Sequence, residues 1–310
     1  MAFGGNPVFR GKTFKSAVAT VPPVPQAPYG TAPYGTPPYG TAPHGTAPHG
    51  TAPHGTGPYG HQAVTPEQLD ELYRSPAAGP AQTGRVTYDD VIVKTLACLG
   101  AVIVGAAVTL AVPVPAAVVL MMVGALGGFV LALVNTFKRE PVPALILAYA
   151  ALEGLFLGGL TRLLDAFSPG IGLQAVLGTF AVAGVTLLLY KSGRVRATPG
   201  LMKFFLVAVL GYLAFSVVNL FVMIFNPGLG AWGLRSSVHV FGIPLGVIVG
   251  LVAVVLAAIS LVFDFDSVEK AVRAGAPRRV AWTAAFGLTV TLVWLYTEIL
   301  RILAIFNSND

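Results

Sequence analysis

Residues 240–263 read VFGIPLGVIVGLVAVVLAAISLVF, without one charged side chain, and residues 264–269 follow as DFDSVE. As a helix the first run rises about 36 Å, more than the roughly 30 Å of hydrocarbon in a bilayer. It reads as a membrane span that stops at a burst of acid. The same reading applied outward gives six more spans, at 95–112, 116–136, 142–164, 173–190, 201–225 and 280–306. The breaks are chemically marked by Pro113 and Pro115, Lys138 to Pro141, Ser168-Pro169-Gly170, Lys191 to Pro199, and Asn226-Pro227-Gly228. Proline and glycine end helices, and charge is costly in hydrocarbon. Composition agrees. Of 310 residues, 55% are hydrophobic and 10% charged, against about 25% charged in soluble domains. Mean hydropathy is +0.75. The expected fold class is an all-α membrane protein, a seven-transmembrane-helix bundle.

The bundle occupies 87–310, and residues 1–86 form a Pro/Gly-rich N-terminal tail. Between 27 and 60 a five-residue unit of the type APYGT or APHGT recurs seven times. Proline fixes φ and glycine frees it, and nothing in the unit buries a core, so the tail is expected to be disordered. His44, His49, His54 and His61 lie in it, as a solvated tract or a weak site for a soft divalent metal. Thr65 and Pro66 suggest a short helix to about Tyr73. Thr87-Tyr88-Asp89-Asp90 fits a capping box at the start of the membrane domain. No charged segment followed by an apolar run opens the chain, so no cleaved signal peptide is expected. Cys98 is the single cysteine, which excludes an intrachain disulfide or a cysteine-based zinc site.

The net charge of +6 bears on topology, not on nucleic acid. Loops after the second, fourth and sixth spans hold Lys138, Arg139, Lys191, Arg194, Arg196, Lys270, Arg273, Arg278 and Arg279, whereas the opposite loops offer Arg235. The positive-inside bias puts the tail in the cytoplasm and the carboxyl terminus outside. Helix contacts are expected at small residues: Gly124 and Gly128, Gly154 and Gly158, and Gly242, Gly246 and Gly250.

The charged residues inside these spans are Glu153, Arg162, Lys203, Glu298 and Arg301. An ionised group at mid-bilayer costs on the order of 3 kcal/mol on insertion scales, so each needs a reason. Arg162 and Lys203 lie near span ends and can snorkel. Glu153 lies about 16 Å into the third span, either as a neutral acid hydrogen-bonded to another helix or facing a polar cavity. Glu298 is followed at i+3 by Arg301, which suits an ion pair, and shares a helix face with Thr291 and Trp294. Asp264 shares a face with Ser260 at i−4, and its bland reading is a solvated helix-end carboxylate at the cytoplasmic edge of the sixth span. Residues 268–272 read as an amphipathic run on the membrane surface.

Three stretches carry a family resemblance: Ser260–Val268, Ala148–Gly159 (AYAALEGLFLGG) and Thr289–Arg301 (TVTLVWLYTEILR). Together they resemble the Bax inhibitor-1/YccA family, closest to its bacterial branch, to which the opening Asn6-Pro7-Val8-Phe9 is also similar. The resemblance covers about 88–306. It implies a seven-helix bundle with the last helix inside it, a bacterial plasma membrane location, and a pH-sensitive calcium leak. In related proteins an aspartate ending the sixth span pairs with an acid on the seventh. Asp264 matches the first position, and either Glu298, through Leu295-Tyr296-Thr297-Glu298, or Thr291, through an ungapped alignment of the tails, matches the second. Two carboxyls in a low-dielectric site do not both ionise easily, so a shared proton holds helices together and its loss alters the path. Calcium takes oxygen ligands, so Asp264 and Glu298 would meet it transiently as the permeant ion. Glu153 would belong to the same pathway, and Glu153→Gln would reduce flux. The partners implied are lipid, calcium and protons, with no cofactor.

No H-E-x-x-H, G-x-S-x-G or phosphate loop is present, and His239 is the one histidine outside the tail, so an enzyme is not expected. A secondary transporter would show inverted repeats and broken helices, which are not evident. A non-conducting regulator of a membrane protease or of a stress or cell-death pathway is the alternative.

Overall fold

The computed structural model describes residues 83–226, 228 and 232–307, all within one compact unit. The repeat tract at 27–60 and the helix expected over 66–73 lie outside these residues. Thr87 caps the first helix, α1 (Tyr88–Ala111). Its side-chain oxygen accepts from the Asp90 amide at 3.1 Å, and the Asp90 carboxylate accepts from the Thr87 amide at 3.3 Å. This capping box satisfies two amides that a helix start leaves open. α2 (Val114–Phe137) begins after a two-residue break, because Pro113 and Pro115 interrupt one ladder and suit the first turn of the next. α3 (Pro143–Asp165) and α5 (Pro199–Phe225) also start on proline, with α4 (Ile171–Lys191) between them.

After α5 the chain makes one helical turn, α6 (Leu234–Ser237), and a two-residue hairpin of β1 (His239–Val240) and β2 (Ile243–Pro244). Phe241 and Gly242, at φ 54° and 79°, form its tip, the positive angles that a tight antiparallel turn demands. α7 (Leu245–Arg273) and α8 (Val280–Asn307) complete the chain. Among the described residues, seven helices, all but α6, are long and apolar enough to cross a membrane.

The sixth span differs from its expected bounds of 240–263 at both ends. Residues 239–244 are spent on the hairpin, since Pro244 disfavours helix in the residue before it. Gly242 therefore sits in the turn and not on a helix ridge. At the other end α7 runs nine residues past Asp264 to Arg273, about 13 Å more. Ion pairs at i,i+4 support that extension: Lys270 with Asp266 at 2.5 Å, and Arg273 with Glu269. Val268 and Ala271 pack in a core cluster with Val86, Val91 and Val280, so 268–272 continues α7 with one face buried in the bundle while Lys270 stays exposed. Asp264 is thereby moved from a helix end to the interior.

α7 and α8 form the centre. The most apolar window of α8 is 50% buried, against 11% for α5, and α8 touches α1, α3, α4 and α7. α1, α2 and α3 pack through small residues. A methyl group on Gly158 would stand 2.6 Å from the Ala106 carbonyl oxygen, and one on Gly124 would stand 2.5 Å from that of Leu152. α5 is peripheral, with only Phe205 and Asn219 buried. The α7–α8 loop lies beside the start of α1. Val86 donates to the Ala276 carbonyl at 2.8 Å, and Arg278 pairs with Asp90 at 2.7 Å. Arg279 reaches Glu140 of the α2–α3 loop at 2.9 Å. These basic loops thus share one face, and α6 with the hairpin belongs to the opposite one.

Candidate functional site

Polar side chains recur on three helices at helical spacing. α8 carries Thr291, Trp294, Glu298 and Arg301 along one stripe, α7 carries Ser260 and Asp264, and α5 carries Tyr212 and Ser216. Their stripes meet around a cavity of about 670 Å³, which Trp232 and Arg235 also line. Two polar centres border it.

The inner centre is Asp264, whose exposure is 0%. The Thr291 hydroxyl donates to Asp264 Oδ2 at 2.7 Å. That hydroxyl also lies 3.2 Å from the Gly287 carbonyl oxygen and 3.5 Å from Ser260 Oγ. Thr291 and Ser260 both line the cavity, so Asp264 stands directly behind its wall. Of the two matches left open by the sequence, Thr291 is the residue in hydrogen-bond contact with Asp264.

The outer centre is Glu298, 1% exposed. Arg301 Nη1 donates to both of its oxygens at 2.8 Å, the i,i+3 pair expected from sequence. The Tyr212 hydroxyl donates to Glu298 Oε1, and accepts from Arg301 Nη1 at 3.0 Å and from Arg235 Nη2 at 3.4 Å. Arg235 Nη2 also donates to Ser216 Oγ at 2.9 Å. The guanidinium lies 5.6 Å and 5.5 Å from the ring centres of Tyr212 and Phe215, a cation–π arrangement. One phenol therefore joins α5, α8 and the segment after α5.

Arg235 is held from both sides. The Leu234 amide donates to Asn219 Oδ1 at 2.9 Å, tying α6 to α5. Gly246 of α7 lies so close that a methyl group there would come within 2.9 Å of Arg235 Cβ. The sequence places Arg235 in a loop, and its exposure there is 4%. Tyr212, Ser216 and Arg235 are the site residues that sequence reasoning missed. A signal existed for Arg235, the lone basic residue in the loops of its face.

The three acids do not form one constellation. Asp264, through Thr291, and Glu298 border the same cavity, two helical turns or roughly 10 Å apart along α8. Glu153 is elsewhere, on α3, where its Oε1 would sit 3.1 Å from a methyl group placed on Gly128 of α2. It does not line the cavity. Among the described residues no three His, Cys, Asp or Glu side chains come together as a metal cage.

A family model described as Bax inhibitor 1 like matches residues 6–308, a range that takes in the repeat tract as well as all seven spans. A comparison with curated proteins finds no match.

Proposed function

We propose that this chain, which belongs to the Bax inhibitor 1 like family, is a pH-sensitive calcium leak of a bacterial plasma membrane, with its basic loops in the cytoplasm. The observation that carries this reading is Asp264: a carboxyl at 0% exposure, one hydroxyl away from a polar cavity inside an otherwise apolar bundle. A buried acid in hydrocarbon is expensive unless its proton occupancy or a visiting cation compensates it.

The arrangement is that of a shut path. Thr291 holds Asp264 to α8, so a change of charge at Asp264 acts directly on the α7–α8 contact. Further out, Arg301, Glu298, Tyr212 and Arg235 close the space between α8 and α5. Two guanidinium groups face that space, and a divalent cation does not cross it until they move. α5 has few buried residues to hold it, so it is the element that yields. Calcium then meets Glu298 and Asp264 in turn as transient oxygen ligands.

The test is calcium flux into dye-loaded vesicles holding the full-length protein, followed from about pH 6 to pH 8, where perturbed carboxyls titrate. Asp264→Asn is expected to flatten the pH profile. A profile identical to that of the parent removes Asp264 as sensor. A parent protein that passes no calcium at any pH favours a regulatory role instead.

A further inference from the structure

The cavity holds a second signal that cation passage does not account for. Arg235 is 4% exposed and lines the cavity, yet among the described residues its Nη1 has no hydrogen-bond partner. Its partners are the neutral hydroxyls of Tyr212 and Ser216 and two aromatic rings. A buried guanidinium costs several kcal/mol unless an anion neutralises it. Glu298, the acid nearest in this network, is already engaged through both oxygens by Arg301. Two arginines and one glutamate line the space itself, with Asp264 behind the wall at Thr291, so the excess positive charge lies at the Arg235 end.

Beside the hydroxyls and amide of Tyr212, Ser216, Asn219, Ser260, Thr291 and Thr297, the rest of the lining is apolar. Leu213 and Leu220 on α5 are 51% and 54% exposed, so this wall of the cavity continues onto the lipid-facing side of α5. Trp232, Trp294 and Met223 complete a greasy floor. The volume, about 670 Å³, lies within the range of small-molecule sites. A planar guanidinium with an open N–H edge suits phosphate oxygens, and a bilayer is what adjoins the apolar wall.

We infer that the cavity binds an anionic lipid, its phosphate on Arg235 and an acyl chain along Leu213 and Leu220. The site is independent of whether the chain conducts ions.

Two of the protein's three tryptophans, Trp232 and Trp294, line the cavity, which supplies a local probe. In a Trp282→Phe background, the full chain in neutral detergent is titrated with lysophosphatidylglycerol or lysophosphatidylcholine, both carrying a brominated acyl chain that quenches tryptophan on contact. The anionic lipid is expected to half-quench at a concentration about tenfold lower or less, because the choline cation of the zwitterion adds a positive charge beside Arg235 and the glycerol headgroup does not. Arg235→Gln abolishes that preference, and Lys203→Gln, at the far end of α5, retains it. Equal quenching by the two lipids in the parent protein overturns the inference whether or not Arg235→Gln folds. An unchanged preference in a folded Arg235→Gln protein overturns it too. Displacement of the lipid by millimolar inorganic phosphate would make a free anion the occupant and would also overturn it.

Discussion

Replacing Tyr212 by phenylalanine isolates the bond that ties α5 to the centre of the bundle. The ring stays, with its contact to Trp294 at 6.1 Å and its place beneath Arg235 at 5.6 Å. What goes is one hydroxyl that donates to Glu298 and accepts from Arg301 and Arg235. No buried charge loses its main partner, since Arg301 remains 2.8 Å from both Glu298 oxygens. The loss is thus that of hydrogen bonds to charged groups, about 1.5–3 kcal/mol. Tyr212 bridges α5 to α8, and α5 is the least buried of the seven spans, so most of this energy should appear in the opening of α5. That corresponds to a roughly 10- to 150-fold larger open population. Hydrogen exchange over 205–220 should quicken by a similar factor, and calcium leak should rise at a pH where the parent is nearly tight. Parent-like exchange in α5 would refute the claim that this phenol latches the helix. Faster exchange with an unchanged leak would keep the latch and remove α5 as the gate.

Asp264→Asn, besides flattening the pH profile, should leave the folded protein no less thermostable, since an amide takes the same space without a buried charge. Glu298→Gln strands Arg301 beside the cavity. Because the Arg301 side chain is 25% exposed, the cost should be about 2 kcal/mol, below the full penalty for breaking a buried pair, read as a lowered thermal midpoint that Glu298→Gln/Arg301→Gln partly restores. Glu153→Gln, away from the cavity, is expected to leave calcium flux at the parent level, and a clear loss of flux would put Glu153 back on the path. For topology, Phe241→Cys and Arg194→Cys in a Cys98→Ser background should label oppositely with an impermeant maleimide on intact cells: Phe241 at once, Arg194 after permeabilisation. The reverse pattern would overturn the proposed orientation.

Much of the fold was legible because hydropathy and helix breakers speak at the scale of whole spans. Pro113, Pro115 and Pro199 mark span breaks in the sequence and helix starts in the structure. The sixth span was misjudged at both ends because a hydropathy reading takes apolar residues for span and the first acid for its end. Phe241 and Ile243 are apolar yet lie in a turn, and Asp264 is acidic yet lies well inside a helix. The spacing of Asp266 to Lys270 and Glu269 to Arg273 already carried the signal of a continuing helix. The sequence counts Arg235 only as a loop charge for topology and gives it no place in a site. Its burial depends on Asn219 holding the Leu234 amide and on Gly246 leaving room beside it, contacts between segments that no local pattern announces.

The two acids of the cavity have been given different surroundings, and that difference constrains the chemistry. Glu298 sits with a guanidinium on both oxygens, so its charge is matched in place and its protonation would break an ion pair. Asp264 receives a neutral hydroxyl from Thr291, which serves the carboxylate as donor and the carboxylic acid by rotating to accept. A threonine at 291 therefore tolerates either state of its neighbour, whereas a second carboxyl at hydrogen-bond distance would have to share a proton with it. On the proposed reading, proton sensing would fall on Asp264, and the Glu298–Arg301 pair, joined through Tyr212 to α5, would hold the other half shut.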